Sequence, residues 1–325
     1  MKKAIILLVM LNIILVGILI YVENTKENGS SADPVSKEEN DFTKYDGYIE
    51  SKLDRYKDYY KKNSNNDITM EETIKLVNND VDKLEGLEYK NYLVKLIDSK
   101  YYISDNLLRY VDYYDNKSKN INEVITNVNS NIDYEFYTHT QKADLKKGNL
   151  ILVNKFYYLD KNYEPEDLVP IDSAYTMGGG YLTEDTWKAF KEMADVAYNE
   201  GIDLYSVSPY RSYNTQDGLY ERYAARDGYE EADTYSARPG YSEHQTGLAV
   251  DINSTDDSFA YTEEAKWLKK NAYKYGFILR YPEGKEYITG YQFEPWHFRY
   301  VGKDVAKKIY DEYLTFEEYY AYYVN

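Results

Sequence analysis

Polar and apolar positions along the chain fall into four textures, and each predicts a different kind of structure. The first is an uncharged run from Ala4 to Val22, broken only by Asn12 and Gly17 and preceded by Lys2 and Lys3. As a helix it rises about 28 Å, close to the hydrocarbon thickness of a bilayer. It is read as a membrane anchor over residues 1–22. The two lysines hold its N-terminus in the cytoplasm, so the rest of the chain is exported. Tyr21 to Thr25 offers no small-x-small cleavage site, which favours an uncleaved anchor over a removed signal peptide. Residues 23–42, rich in Ser, Asn, Glu and Lys, form a polar linker.

The second texture, over residues 43–140, is helical and weakly repeated. Arg55-Tyr-Lys-Asp-Tyr-Tyr60 returns as Arg109-Tyr-Val-Asp-Tyr-Tyr114, and Val77-Asn78 returns as Val128-Asn129. Thr69, followed by Glu71 and Glu72, supplies a cap and an acidic first turn ahead of Ile74 and Val77. Two similar helical units packed on each other are expected, serving as a spacer or a wall- or partner-binding module. His139 at the end of this stretch is read as structural.

From residue 145 to 325 apolar runs of strand length alternate with helical periods. Strands are predicted over Asn149–Asn154, Ile202–Val207, Leu248–Ile252, Phe277–Tyr281 and Glu294–Val301. Thr183 caps a helix whose apolar face is Trp187, Phe190, Met193, Ala194 and Ala197, ended by Gly201. Further helices run from Ser212 to about Arg226, over Glu263–Tyr275 closed by Gly276, and over Asp304–Tyr313. The Met177-Gly-Gly-Gly180 stretch is a plain loop, with no lysine or strand–helix context for a phosphate. Short connections and hairpin-like spacing give an α+β domain with a small, mainly antiparallel sheet flanked by helices.

Composition narrows the chemistry. Fifty-six Asp and Glu against 39 Lys and Arg leave a net charge of -17, which excludes a nucleic-acid partner. The absence of cysteine removes disulfides, thiolate metal sites and a cysteine nucleophile. Any catalytic metal must therefore be held by His, Asp or Glu, and the chain has three histidines. His244 and Asp251 lie in Ser236-Ala-Arg-Pro-Gly-Tyr-Ser-Glu-His-Gln-Thr-Gly-Leu-Ala-Val-Asp-Ile252. A loop-borne histidine and a strand-borne aspartate there can converge, and His297 on a separate strand can supply the third zinc ligand. Glu294 is the candidate general base. It stands three residues before His297, which a straight strand would point to the opposite face; Pro295 allows an irregular entry. Arg211, at a strand-to-helix turn, is the candidate cation for an oxyanion or a substrate carboxylate. Arg238, Ser242 and Gln216 are candidate substrate contacts.

Three blocks, Ser208-Pro-Tyr-Arg-Ser212, Ser242-Glu-His-Gln-Thr-Gly-Leu-Ala-Val-Asp251 and Glu294-Pro-Trp-His297, resemble the signature of the VanY-like zinc D-alanyl-D-alanine carboxypeptidases. Their pattern is S-x-H-x-x-G-x-A-x-D followed by E-x-x-H. The similarity covers roughly residues 145 to 316, with Pro209 where the first turn usually has Gly. It implies zinc on His244, Asp251 and His297, Glu294 as base, and Arg211 in transition-state or substrate binding. It also implies the fold shared by D-Ala-D-Ala metallopeptidases and the hedgehog signalling domain. The expectation is a single-pass, membrane-anchored enzyme on the extracellular, cell-wall side that trims the terminal D-alanine of peptidoglycan stem peptides. An L,D-carboxypeptidase or an endopeptidase on the same peptides, and a non-catalytic wall-binding protein on a zinc scaffold, are the alternatives.

Overall fold

The computed structural model describes residues 41–324 apart from Val81. The expected anchor over residues 1–22 and nearly all of the linker lie outside these residues. Among the described residues no helix is long and apolar enough to cross a membrane. Contacts divide the chain into two units, with the boundary between Val94 and Lys95.

In the first unit, helices α1 (Leu53–Asn63) and α2 (Met70–Asp80) pack together. Tyr56 is fully buried on α1; its hydroxyl accepts from the Ile49 N–H and donates to Asn78 Oδ1 at 2.7 Å. The second copy of the repeat has α3 (Leu107–Asn116) and α4 (Ile121–Asn129), and repeats that circuit. Tyr110, also fully buried, accepts from the Ile103 N–H and donates to Asn129 Oδ1. The repeated Tyr and Asn thus meet because each fold of the unit needs one buried hydroxyl and one amide to satisfy each other.

That second copy belongs to the second unit, although the sequence pattern groups it with the first. The reason is α10 (Phe316–Tyr323), the last helix, which packs on α4. Tyr101 stacks on Tyr322 at 4.0 Å, and its hydroxyl hydrogen-bonds that of Tyr323 at 2.8 Å. Apolar periodicity reports that a helix has a buried face but not which element covers it.

The centre of the second unit is a four-stranded antiparallel sheet in the order β3 (Ser206–Ser208), β4 (Ala249–Ile252), β6 (His297–Tyr300), β5 (Phe277–Leu279). A separate hairpin-like pair, β1 (Leu168–Pro170) and β2 (Tyr181–Thr183), leads into α5 (Glu184–Asn199). Alternation along the strands sorts the central sheet into two faces. Val250, Ile252, Phe277 and Phe298 face α5, where Phe190, Met193, Ala194 and Ala197 bury the predicted apolar stripe. The opposite face carries Asp251, His297 and Arg299, with Ile278 beneath Phe316, Tyr319 and Tyr320 of α10. Between β3 and β4 run α6 (Tyr213–Asp227) and α7 (Tyr229–Tyr235); α8 (Glu263–Asn271) precedes β5, and α9 (Lys303–Glu312) precedes α10.

The strands are shorter than the apolar runs, and one predicted strand is absent. Asn149 and Leu150 close a 3-10 segment (Leu145–Leu150), and residues 151–154 form only an isolated bridge, Asn154 with Tyr157. Ile151, Leu152 and Val153 are buried as a strand's would be. Their backbone, however, is served by a side chain: Arg299 Nη2 donates to the carbonyls of Asn149 and Ile151 at 3.0 and 2.8 Å. A guanidinium in the interior needs such acceptors, and it takes them in place of a ladder partner.

Gly247 ends the 3-10 turn that carries His244 and has φ of +68°. A Cβ there would meet Leu168 Cδ2 at 2.8 Å and Thr183 Cγ2 at 3.1 Å. Gly247→Ala is therefore expected to destabilise the protein by about 1–3 kcal/mol, through left-handed backbone and overpacking together. Chemical denaturation of the two proteins measures this, and equal midpoints would refute it.

Candidate metal centre and cleft

The register of the sheet builds the centre. Asp251 on β4 lies directly opposite His297 on β6, and Ser208 on β3 is opposite Asp251 on its other side. His244 arrives from the 3-10 turn Glu243–Thr246, just before β4. His244, Asp251 and His297 are all buried, and one candidate ligand atom from each lies within 4.8 Å of the others. His244 Nε2 is 3.4 Å from Asp251 Oδ2, and His297 Nδ1 is 3.3 Å from Asp251 Oδ1. Tetrahedral zinc with bonds of about 2.0–2.1 Å sets its ligand atoms roughly 3.3 Å apart.

The chemistry of the donors fits a cation. Asp251 Oδ1 is buried with no hydrogen-bond partner among the described residues. Asp251 is held far below the usual carboxylate range: burial pushes it up, but His244 and His297 outweigh that. For His297 burial works against charge, yet the carboxylates of Asp251, Glu243 and Glu294 hold it well above the ordinary imidazole range. The carboxylates around His297 thus favour positive charge at that ring. His244 behaves differently, because burial draws it below the ordinary imidazole value. Its Nδ1 lies 2.8 Å from the Pro209 carbonyl, which can only accept, so the proton sits on Nδ1 and Nε2 keeps a free lone pair.

Glu294 reaches the same side as His297 because it lies outside the strand. The His297 N–H donates to the Glu294 carbonyl at 3.2 Å, closing a turn over residues 294–297. Glu294 Oε2 then stands 3.3 Å from His297 Nδ1. Burial pushes the Glu294 carboxyl above its ordinary value and Asp251 adds to this, while His297 and Arg211 hold it back. A carboxylate so placed is suited to accept and return a proton.

These groups line a cleft of about 430 Å³. Arg211, Ser242 and Gln216 line it too, as the sequence suggests. The Arg211 Nε and the Gln216 Oε1 are buried without partners among the described residues. Gln216 Nε2 is committed, donating to the Ala237 carbonyl at 2.6 Å. Arg238 is different. Its guanidinium pairs with both oxygens of Asp233 at 3.0 and 2.7 Å and stacks on Tyr137, and it is not part of the cleft lining. Its proximity in sequence to His244 reflects a loop that positions the site, not a contact with it. His139 is not among the residues that line the cleft, and its ring stacks on Tyr134 at 3.9 Å.

Four residues in and behind the centre escaped the sequence reading. Tyr281 packs its ring against His297 at 4.8 Å and lines the cleft. Glu243, inside the histidine motif, is fully enclosed. Its Oε1 accepts from Arg280 Nε and Arg299 Nη1, both at 2.8 Å, and its Oε2 is 3.6 Å from His297 Nε2. Glu243 is held well below the carboxylate range: burial raises it, and Arg280 and Arg299 outweigh that. Arg280 and Arg299 were legible as anomalies, since each is a charge inside an apolar strand-like run, and such a charge requires a buried partner.

The chain is similar to several known proteins. A family model described as VanY, D-alanyl-D-alanine carboxypeptidase, matches residues 179–303. The putative carboxypeptidase YodJ of Bacillus subtilis (strain 168) is 45% identical over 181 residues, covering 53% of this chain and 66% of that protein. A D-alanyl-D-alanine carboxypeptidase of Enterococcus faecium is 32% identical over 218 residues, covering 64% of this chain and 69% of the relative. Among solved structures, the LdcB LD-carboxypeptidase superposes with a TM-score of 0.53 at 43% identity, over 56% of this chain and 90% of its own.

Proposed function

Since the chain belongs to the VanY family of D-alanyl-D-alanine carboxypeptidases, we propose that it is a zinc metallocarboxypeptidase removing the C-terminal D-alanine from peptidoglycan stem peptides. The observation that carries this is the buried convergence of His244, Asp251 and His297 with Glu294 beside them. His244 through Nε2, Asp251 through its carboxylate and His297 through Nδ1 would hold the ion. Zinc bound there supplies a Lewis acid for the scissile carbonyl and lowers the pKa of a water.

The chain's own groups do the rest. Glu294 takes a proton from the attacking water and returns it to the leaving amine. Arg211, whose Nε has no partner among the described residues, meets the developing oxyanion or the terminal carboxylate. Gln216 Oε1 is an acceptor for a substrate N–H, and Ser242 is a second contact in the cleft. The residues 1–22 anchor puts this unit on the cell-wall side of the membrane, where D-alanine-terminated peptides occur; the charge pattern around that run is its support.

A second reading, cleavage of the L,D bond of tetrapeptides, is favoured by the likeness to the LdcB LD-carboxypeptidase. Incubating purified pentapeptide and tetrapeptide muropeptides with the protein, with and without a zinc chelator, separates these by mass spectrometry. Loss of one alanine from the pentapeptide alone supports the D,D reading. Loss from the tetrapeptide alone supports the L,D reading. Release that a chelator does not stop, once the metal is shown to be removed, would sink the metal mechanism.

A further inference from the structure

One residue of the cleft wall is a carboxylate whose side chain is itself enclosed, and its bonding pattern is asymmetric. Glu243 Oε1 takes two arginine donors, Arg280 Nε and Arg299 Nη1. Oε2 takes none, and neither does His297 Nε2, 3.6 Å away; both atoms are buried and without a hydrogen-bond partner among the described residues. A small tilt of the ring, a few tenths of an ångström at Nε2, would bring the two within hydrogen-bond distance.

The two ring nitrogens of His297 thus look in opposite directions. Nδ1 points to Asp251 and Glu294, at 3.3 Å from each, and Nε2 points into the protein at Glu243. A neutral imidazole can offer the Nδ1 lone pair to a metal only if its proton is on Nε2. Resting on the zinc reading above, we infer that Glu243 is the positioning residue of the centre: its Oε2 accepts the Nε2–H of His297 and thereby presents Nδ1 as a ligand.

The surroundings keep Glu243 charged and oriented. Arg280 donates Nη1 and Nη2 to Glu317 of α10 at 2.9 and 2.6 Å, so two carboxylates balance two guanidiniums in one buried cluster. Because both arginines donate to the same oxygen, an amide at this position keeps its carbonyl oxygen there, since turning it over would set its NH2 against two charged donors. This makes the conservative replacement the severe one. In Glu243→Gln the carbonyl oxygen stays with the arginines, and the amide NH2 must face His297. An acceptor becomes a donor there, and the ring proton is driven to Nδ1, where it competes with the metal. Glu243→Ala leaves Nε2 free to find water, so it retains the correct tautomer.

The test is the zinc dissociation constant of the full chain, in detergent, measured by competition with a chromophoric chelator. Wild type binds one zinc. Glu243→Gln weakens binding by about 10–100-fold, the usual consequence of losing the carboxylate behind a metal-bound histidine, and Glu243→Ala weakens it less. A purely structural role would lower the unfolding midpoints of the metal-free variants and leave zinc affinity alone. A folded Glu243→Gln protein with zinc affinity within about threefold of wild type overturns the inference. So does a larger loss in Glu243→Ala than in Glu243→Gln. Should the glutamine variant not fold, the zinc-loaded wild type labelled with 15N-histidine decides. With three histidines in the chain, the His297 ring is assignable. A proton on Nε2 supports the inference and a proton on Nδ1 overturns it. Failure of wild type to bind zinc at all would instead refute the metal site on which the inference rests.

Discussion

Glu294→Gln lowers kcat for alanine release by about 10²–10⁴-fold, the range that a positioned general base contributes. The substitution keeps the shape of the side chain, and its backbone turn is untouched, because the Glu294 carbonyl and N–H bond to the His297 N–H and the Tyr281 carbonyl. What changes is the ability to hold a proton at Oε2, the atom 3.3 Å from His297 Nδ1. Zinc stoichiometry and KM should therefore move little, and single-turnover rates should carry the loss. Burial raises the Glu294 carboxyl above its ordinary value, which brings it nearer the operating pH and makes its removal costly. A variant within tenfold of wild type under saturating substrate would remove Glu294 from the proton path.

The largest effect on stability is expected at Arg280. This residue is fully buried, donates to Glu243 and to both oxygens of Glu317, and has Phe316 at 5.6 Å from its guanidinium carbon. Burial lowers its proton affinity, but Glu243 and Glu317 together raise it well above the ordinary value. Among the described residues Arg299 pairs with one carboxylate, Glu243, and there burial prevails. Arg280→Met leaves Glu317 with a single neutral donor, Asn154 Nδ2 at 3.1 Å. Breaking one side of a buried ion pair costs about 3–5 kcal/mol. For a unit of this size that is a fall in thermal midpoint on the order of 10 °C. The double variant Arg280→Met, Glu317→Gln should recover part of the loss, since no uncompensated carboxylate then remains on α10. A single variant as stable as wild type would show that the cluster does not bind α10 to the sheet.

Several features were legible from local pattern alone. The α5 stripe of Phe190, Met193, Ala194 and Ala197 is buried as its spacing predicts. The short alternating runs became strands at the expected places, because Val250 and Phe298 are apolar where Asp251 and His297 are not. The runs overshot their strands, and the one predicted over Ile202–Val207 is shifted to Ser206–Ser208, since an apolar sequence continues for as long as it is buried, whereas a ladder lasts only as long as a neighbouring backbone is in reach. Residues 149–154 show the limit of that logic: Ile151 to Asn154 are buried, yet the carbonyls of Asn149 and Ile151 bond to the Arg299 side chain and not to a strand.

The sequence by itself determined which residues are candidate donors of the centre: with no cysteine they are His, Asp or Glu, and two histidines, an aspartate and Glu294 stand in motif order. Only the tertiary structure decided how these groups face one another. A turn, not a strand, brings Glu294 to the side of His297. Asp233 withdraws Arg238 from the cleft, and Glu243 stands behind a ligand while its neighbours in the motif stand in front. The reason is physical. Periodicity is written in neighbouring residues, but a buried charge is stable only with the partner that the fold sets beside it. For Glu243 those partners, Arg280 and Arg299, lie 37 and 56 residues along the chain.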